Sequence, residues 1–149
     1  MKEGYIKKED RKKILLITDD IRVHSGVAQI GRETVIHTCH RYNWVQIAGA
    51  VDHPEEGKQV IMDNDIAKES EVLDASCSLY PAKAYGNMDM LRVIMKREKP
   101  DAIMLITDPR YFTWLFNSED EIRNSIPIIY LNIWDNYPAP MYNKEFYES

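Results

Sequence analysis

Cysteine is scarce: Cys39 and Cys77 are the only two in 149 residues. Two cysteines are not a disulfide framework, so a reducing cytoplasm is the expected location. No stretch approaches the roughly 20 consecutive apolar residues of a membrane span. The basic start (Lys2, Lys7, Lys8, Arg11, Lys12 and Lys13 against Glu3, Glu9 and Asp10) has the look of a secretion-signal n-region. The apolar run behind it, however, stops after Ile17 at Thr18-Asp19-Asp20. Positive charge is outnumbered, with 19 Lys and Arg against 24 Asp and Glu and a formal net charge of −5. That balance argues against a dedicated nucleic-acid binder, without excluding a nucleic acid as a substrate met by a local patch. Two phosphate-binding signatures are absent: no G-x-G-x-x-G follows the first apolar run, and no G-x-x-x-x-G-K-[ST] occurs. A phosphoacceptor receiver domain would need an aspartate ending its third strand and a lysine ending its fifth. This chain has Tyr80-Pro81 and Trp134-Asp135 at those places. Internal repeats and low-complexity tracts are missing as well.

What remains is an ordinary soluble composition, 44% hydrophobic and 29% charged, in a chain long enough for one core and short for two domains. Residues 1–12 read as a polar N-terminal arm and residues 13–149 as a single domain. Lys13 to Thr18 is apolar on both faces, as buried parallel strands are. A helix is expected from Gly26 to Arg41. Its apolar stripe takes in Val27, Ala28, Ile30, Gly31, Thr34, Val35, Thr38 and Cys39, with Gln29, Glu33, His37 and His40 opposite. Gly31 in mid-stripe costs about 1 kcal/mol against alanine, which points to close approach of helix and sheet. Further core strands read at Trp44–Val51, Cys77–Tyr80, Asp101–Thr107 and Ile126–Ile133. Val60–Met62 reads as a short extra strand and Ile66–Leu73 as a short helix. Helices also read from Asn87, a good N-cap, to about Glu98, and over Tyr111–Phe116. Strands alternating with helices predict an α/β fold: a three-layer α/β/α sandwich around a parallel sheet of Rossmann-like order 3-2-1-4-5.

In such a sheet, ligands bind beyond the carboxyl ends of the strands, at the switch in strand order. The residues expected there are Asp19, Asp20, His24, Ser25 and Gly26 after strand one, with Asp108 and Arg110 after strand four. Strand five adds Trp134, Asp135 and Tyr137. A loop opening into a helix at Ser25-Gly26 suits an anion, because free backbone N–H groups and the helix dipole both face it. Plainer readings stand beside these: Asp19-Asp20 as a loop cap, Ser25-Gly26 as a helix cap, His24 as a solvated loop histidine, Trp134 as core. His37, Cys39 and His40 sit on different sides of their helix, and no metal is expected.

Four short segments carry a resemblance. Ser25-Gly26-Val27-Ala28-Gln29 is similar to a G-G-V-(A/Q) loop, and Leu79-Tyr80-Pro81 with Tyr85-Gly86 to a third strand and turn. Glu98-Lys99-Pro100-Asp101 through Asp108 is similar to a K-P-D-V-V strand with an acidic tip, and Ile126-Pro127-Ile128 through Asp135 to an I-P-I-V-x-x-x-H-D strand. Together they resemble the N-terminal Rossmann-like half of a GT-B glycosyltransferase of the glycogen-synthase-like group 1 type. The resemblance implies that the backbone at Ser25, Gly26 and Val27 meets the donor diphosphate. It makes Asp135 and His24 the catalytic candidates, with Asp19, Asp20, Asp108, Arg110, Trp134 and Tyr137 on the acceptor side. Trp134 stands where many relatives have histidine. The implied donor is a nucleotide sugar used as co-substrate, with no resident cofactor, and the acceptor is a hydroxyl.

The resemblance also implies a second, donor-binding domain with an E-x7-E motif, which these residues do not supply. The expectation is therefore a fragment, a separately encoded half or a binding remnant, inactive alone. Three functions follow: the acceptor-side domain of a glycosyltransferase; a non-catalytic binding module for a phosphorylated or sugar ligand or a protein partner; and, more remotely, a flavodoxin-like cofactor carrier.

Overall fold

Leu15, Leu16, Ile17 and Thr18 are all buried, so the first strand is covered on both faces and everything else is arranged around it. The computed structural model describes residues 2–49 and 58–132. In chain order the elements are β1 (Lys12–Asp19), α1 (Gly26–Thr38), β2 (Tyr42–Gly49), β3 (Val60–Ile61), α2 (Asp63–Ser70), β4 (Cys77–Pro81) and α3 (Met88–Glu98). β5 (Ala102–Thr107), a 3-10 turn (Pro109–Phe112), α4 (Thr113–Phe116), α5 (Glu119–Arg123) and β6 (Ile128–Asn132) follow.

The sheet has six strands in the order β3-β4-β2-β1-β5-β6. β1 pairs in parallel with β2 and β5, β2 with β4, and β5 with β6, while β3 lies antiparallel on β4. The sheet therefore differs from the expected five-strand 3-2-1-4-5 arrangement. The difference lies in β3, where Val60 faces Leu79 and Ile61 faces Ser78, adding an antiparallel edge before the chain enters α2.

Alternation along the strands divides the buried side chains into two clusters. Leu16, Trp44, Ala48, Leu79 and Ile106 pack with Val35, Ile36 and Cys39 of the α1 end and with Ile66 of α2. Leu15, Ile17, Val45, Ile47, Ile103 and Leu105 pack with Leu91 and Ile94 of α3 and with Phe112, Leu115 and Ile122. Truncating a wholly buried leucine such as Leu16 to alanine would cost about 2–5 kcal/mol. α1 lies close to the sheet at Gly31, where a methyl group would stand 3.0 Å from Thr18 Cγ2. The helix ends at Thr38 rather than Arg41, with the Cys39 N–H closing on the Val35 carbonyl at 2.9 Å. Within the helix Ile30 is exposed and Ile36 buried, and past its end His40, expected on the solvent face, is buried. α3 begins where expected, with Asn87 Oδ1 accepting from the Met90 N–H at 2.9 Å.

At the amino-terminal edge of the sheet the chain before β1 is tied down. The Arg11 side chain is fully buried and donates to Asp74 Oδ1 at 2.6 Å, to the Asp74 carbonyl at 2.9 Å and to the Ile6 carbonyl at 2.7 Å. The Tyr5 hydroxyl donates to Asp74 Oδ2 at 2.6 Å, and the guanidinium lies 5.4 Å from the Tyr5 ring centroid. These contacts hold Asp74 below its ordinary carboxylate value although burial pushes the other way, and the bond to Asp74 raises Tyr5.

Candidate functional site

At the opposite edge, the course of the loop after β1 is set by buried polar groups. Thr18 Oγ1 donates to the Ile106 carbonyl at 2.8 Å, and the Asp20 N–H donates to the Gly49 carbonyl at 3.1 Å. The buried Gln46 side chain donates to the Asp19 carbonyl at 2.7 Å and accepts from the Ile21 N–H at 3.3 Å. Buried polar groups have to be satisfied, and here their partners fix the ends of three adjacent strands.

Asp19 and Ser25, two of the expected site residues, meet directly. Ser25 is the N-cap of α1: its hydroxyl accepts from the Ala28 N–H at 3.0 Å and donates to Asp19 Oδ2 at 2.9 Å. The plain cap reading of Ser25 thus holds, and it leaves the N–H groups of Gly26 and Val27 with no acceptor among the described residues. Gly26 is exposed, and a methyl group placed on it would have no neighbour within 4 Å among the described residues.

The other oxygen of Asp19 accepts from Tyr85, whose hydroxyl donates to Oδ1 at 2.8 Å. Tyr85 reaches back from the turn after β4 and lies across Gly49. A methyl group at Gly49 would come within 2.5 Å of Tyr85 Cδ1 and 2.6 Å of the Ala84 carbonyl oxygen. The turn that delivers it has positive φ at Ala84 (+53°) and Gly86 (+85°), a conformation glycine adopts without strain and alanine does not. The Tyr85 ring stands 5.1 Å from that of Phe112 and 5.5 Å from that of the exposed Tyr111, spacing typical of aromatic pairs. Tyr85 was legible only as part of a turn; the pairing of Gly49 with Tyr85-Gly86 was the signal available.

The remaining expected residues are placed as follows. Asp20 is 1% exposed, and its oxygens accept from the Arg22 guanidinium at 2.7–3.1 Å and from the Arg22 N–H at 2.8 Å. Asp108 accepts from the Arg110 N–H at 3.0 Å and is ion-paired with the Arg110 side chain, which holds its carboxyl below the ordinary value. His24 is exposed and borders a separate hollow with Arg22, Gln29 and Arg32. Trp134, Asp135 and Tyr137 lie outside the described residues. Among the described residues no three His, Cys, Asp or Glu side chains gather as metal ligands, and no helix is long and apolar enough to cross a membrane. His37 bonds Glu33 at 2.8 Å on the surface, whereas Cys39 and His40 are buried.

No family model, no curated protein and no solved structure matches this chain.

Proposed function

We propose that this chain is the acceptor-side domain of a GT-B glycosyltransferase. In this reading the three-layer Rossmann-like core presents the mouth of α1 to a nucleotide-sugar donor held by a second domain. The observation that carries it is the first turn at Gly26-Val27, beyond the carboxyl end of β1, whose two N–H groups have no acceptor among the described residues. Anionic groups are stabilised there by N–H donors and by the helix dipole. The likeness of Ser25-Gly26-Val27-Ala28 to the family's loop supports the same assignment. Gly26 itself fits: neither its φ nor its packing calls for glycine, so its cost to the helix is offset by letting a diphosphate approach the backbone. Transfer to an acceptor hydroxyl would then draw on Asp135 and His24, with Asp108, Arg110, Tyr137 and Trp134 around the acceptor.

One observation favours a second reading, a binding module without chemistry. Asp19, Asp20 and Asp108 are each engaged, by Ser25 and Tyr85, by Arg22 and by Arg110. Carboxylates engaged in this way hold a loop in shape.

Calorimetric titration of UDP-glucose and GDP-mannose separates the two. Heat that appears only when a GT-B donor-binding domain is joined to the chain supports the transferase. Tight binding by the chain alone supports the module, and no heat in either preparation contradicts both.

A further inference from the structure

Leu73 is 96% exposed, the most exposed large apolar side chain among the described residues. The turn that carries it is nonetheless held on both sides. Val72 and Ala75 are buried, the Ala75 N–H closes on the Val72 carbonyl at 3.1 Å, and the Val72 N–H donates to the buried Ser70 hydroxyl at 3.2 Å. Glu71 enters the turn with φ at +62°, a left-handed conformation that a residue other than glycine keeps only where its surroundings impose it. Asp74 leaves the turn bonded to Arg11 and Tyr5. An apolar side chain on a fixed turn loses little freedom when a partner covers it.

Beside Leu73 lies a hollow of about 220 Å³, lined by Lys2, Tyr5, Glu71, Val72, Asp74 and Leu73 itself. Its rim carries both signs of charge. Lys2 and Glu71 are exposed, and neither side chain has a hydrogen bond or ion pair among the described residues, whereas Asp74 is spent on Arg11 and Tyr5. We propose that this patch is a self-association surface, on which a second copy of the chain docks across a twofold axis. Leu73 of each copy enters the hollow of the other, and Lys2 of each faces Glu71 of the other. A second copy is the occupant that uses every part of the patch: knob and hollow adjoin, and the two unpaired charges are opposite, so the surface is complementary to itself. A partner of one charge sign would set one of the two against its like. Because knob and hollow share a wall, the contact closes as a pair and does not run on as a filament. The patch is small, so the pair is weak and forms at high concentration. It lies at the amino-terminal edge of the sheet, away from the first turn of α1, and stands apart from the nucleotide-sugar reading.

Sedimentation velocity of the native chain from about 10 µM to about 1 mM tests the surface. The mass should rise with concentration toward that of a dimer and no further. Leu73→Asp should weaken association at least about tenfold, with the circular dichroism of the native chain, because the side chain it replaces is exposed. Lys2→Glu and Glu71→Lys each set like charges face to face and should each weaken the pair about threefold or more. The double variant exchanges the charges and should restore association to within about twofold of the native chain, a recovery that misfolding cannot produce. In a dilution series of 1H–15N spectra, the amide shifts should centre on residues 2–5 and 71–74. A chain that stays monomeric at about 1 mM, growth beyond the dimer, a dimer that Leu73→Asp leaves intact, a double variant no tighter than either single one, or shifts centred elsewhere would overturn the proposal. No nucleotide sugar enters any of these measurements, so their outcome leaves the transferase reading to its own test.

Discussion

The two edges of the sheet are built on opposite terms. At the amino-terminal edge a wholly buried arginine side chain is held by Asp74, Ile6 and Tyr5. At the carboxyl edge Asp19, Ser25 and Tyr85 form an equally definite network, and beside it the N–H groups of Gly26 and Val27 have no acceptor among the described residues. One network fastens the chain before β1. The other shapes the loop that leads into the first turn of α1. Stability is therefore expected to reside at the first edge and ligand binding at the second.

The largest expected effect is at the fastened edge. Asp74→Ala leaves the buried Arg11 charge uncompensated and should cost about 3–5 kcal/mol in urea denaturation. Asp19→Ala should cost only about 1–2 kcal/mol, because its partners are neutral hydroxyls with other recourse. Equal losses would erase the contrast between the edges.

The same fastening predicts a pH signature. Asp74 titrates below its ordinary value, so its contribution is present above pH 3.8 and is lost as pH falls through its lowered folded value. Tyr5 titrates above its ordinary value, so its contribution is complete below pH 10 and disappears as pH climbs through the raised value. Burial, with Lys2 adding to it, lowers His40 as well. The neutral imidazole is favoured in the fold, and stability should begin to decline as pH drops below 6.5. Melting followed from pH 8 to pH 5 should show that decline in the native chain, and His40→Gln should flatten it.

At the carboxyl edge the effects are smaller and should be felt locally. Gly49→Ala drives a methyl group into the Ala84 carbonyl oxygen and the Tyr85 ring. It should destabilise by about 1–3 kcal/mol and quench the difference in tyrosine fluorescence between native and unfolded chains. Tyr85→Phe keeps the ring packing and gives up the bond to Asp19, for about 1 kcal/mol. Gly26→Ala has the opposite sign. With open space around it and a better helix former in the first turn, the variant should be more stable by up to about 1 kcal/mol in the same denaturation assay.

Much of this was legible in the sequence, for local reasons. The apolar runs of β1 and β5, the caps at Ser25 and Asn87 and the close approach at Gly31 all depend on residues a few positions apart. The two networks that distinguish the edges do not. Arg11 finds Asp74 across 63 residues and Tyr85 finds Asp19 across 66, and both pairings depend on the course of loops that no periodicity encodes. The antiparallel β3 was readable as a strand but not as an edge of this sheet, because two residues carry no information about direction. His40 went astray for a smaller reason: α1 stops three residues early, and a helical wheel carried past the true end no longer fixes the face a side chain takes. Asp19 and Ser25, both read at the end of the first strand, meet directly, and His24 from the same loop borders the hollow with Arg22, Gln29 and Arg32.

The central claim is that ligand enters at the mouth of α1. A 1H–15N correlation spectrum of the chain titrated with UDP-glucose, in the presence of a GT-B donor-binding domain, tests it most directly. The account predicts that the largest saturable amide shifts fall on Gly26 and Val27. Shifts centred instead on Arg11 and Asp74, or no shift at Gly26 at saturating ligand, would contradict it.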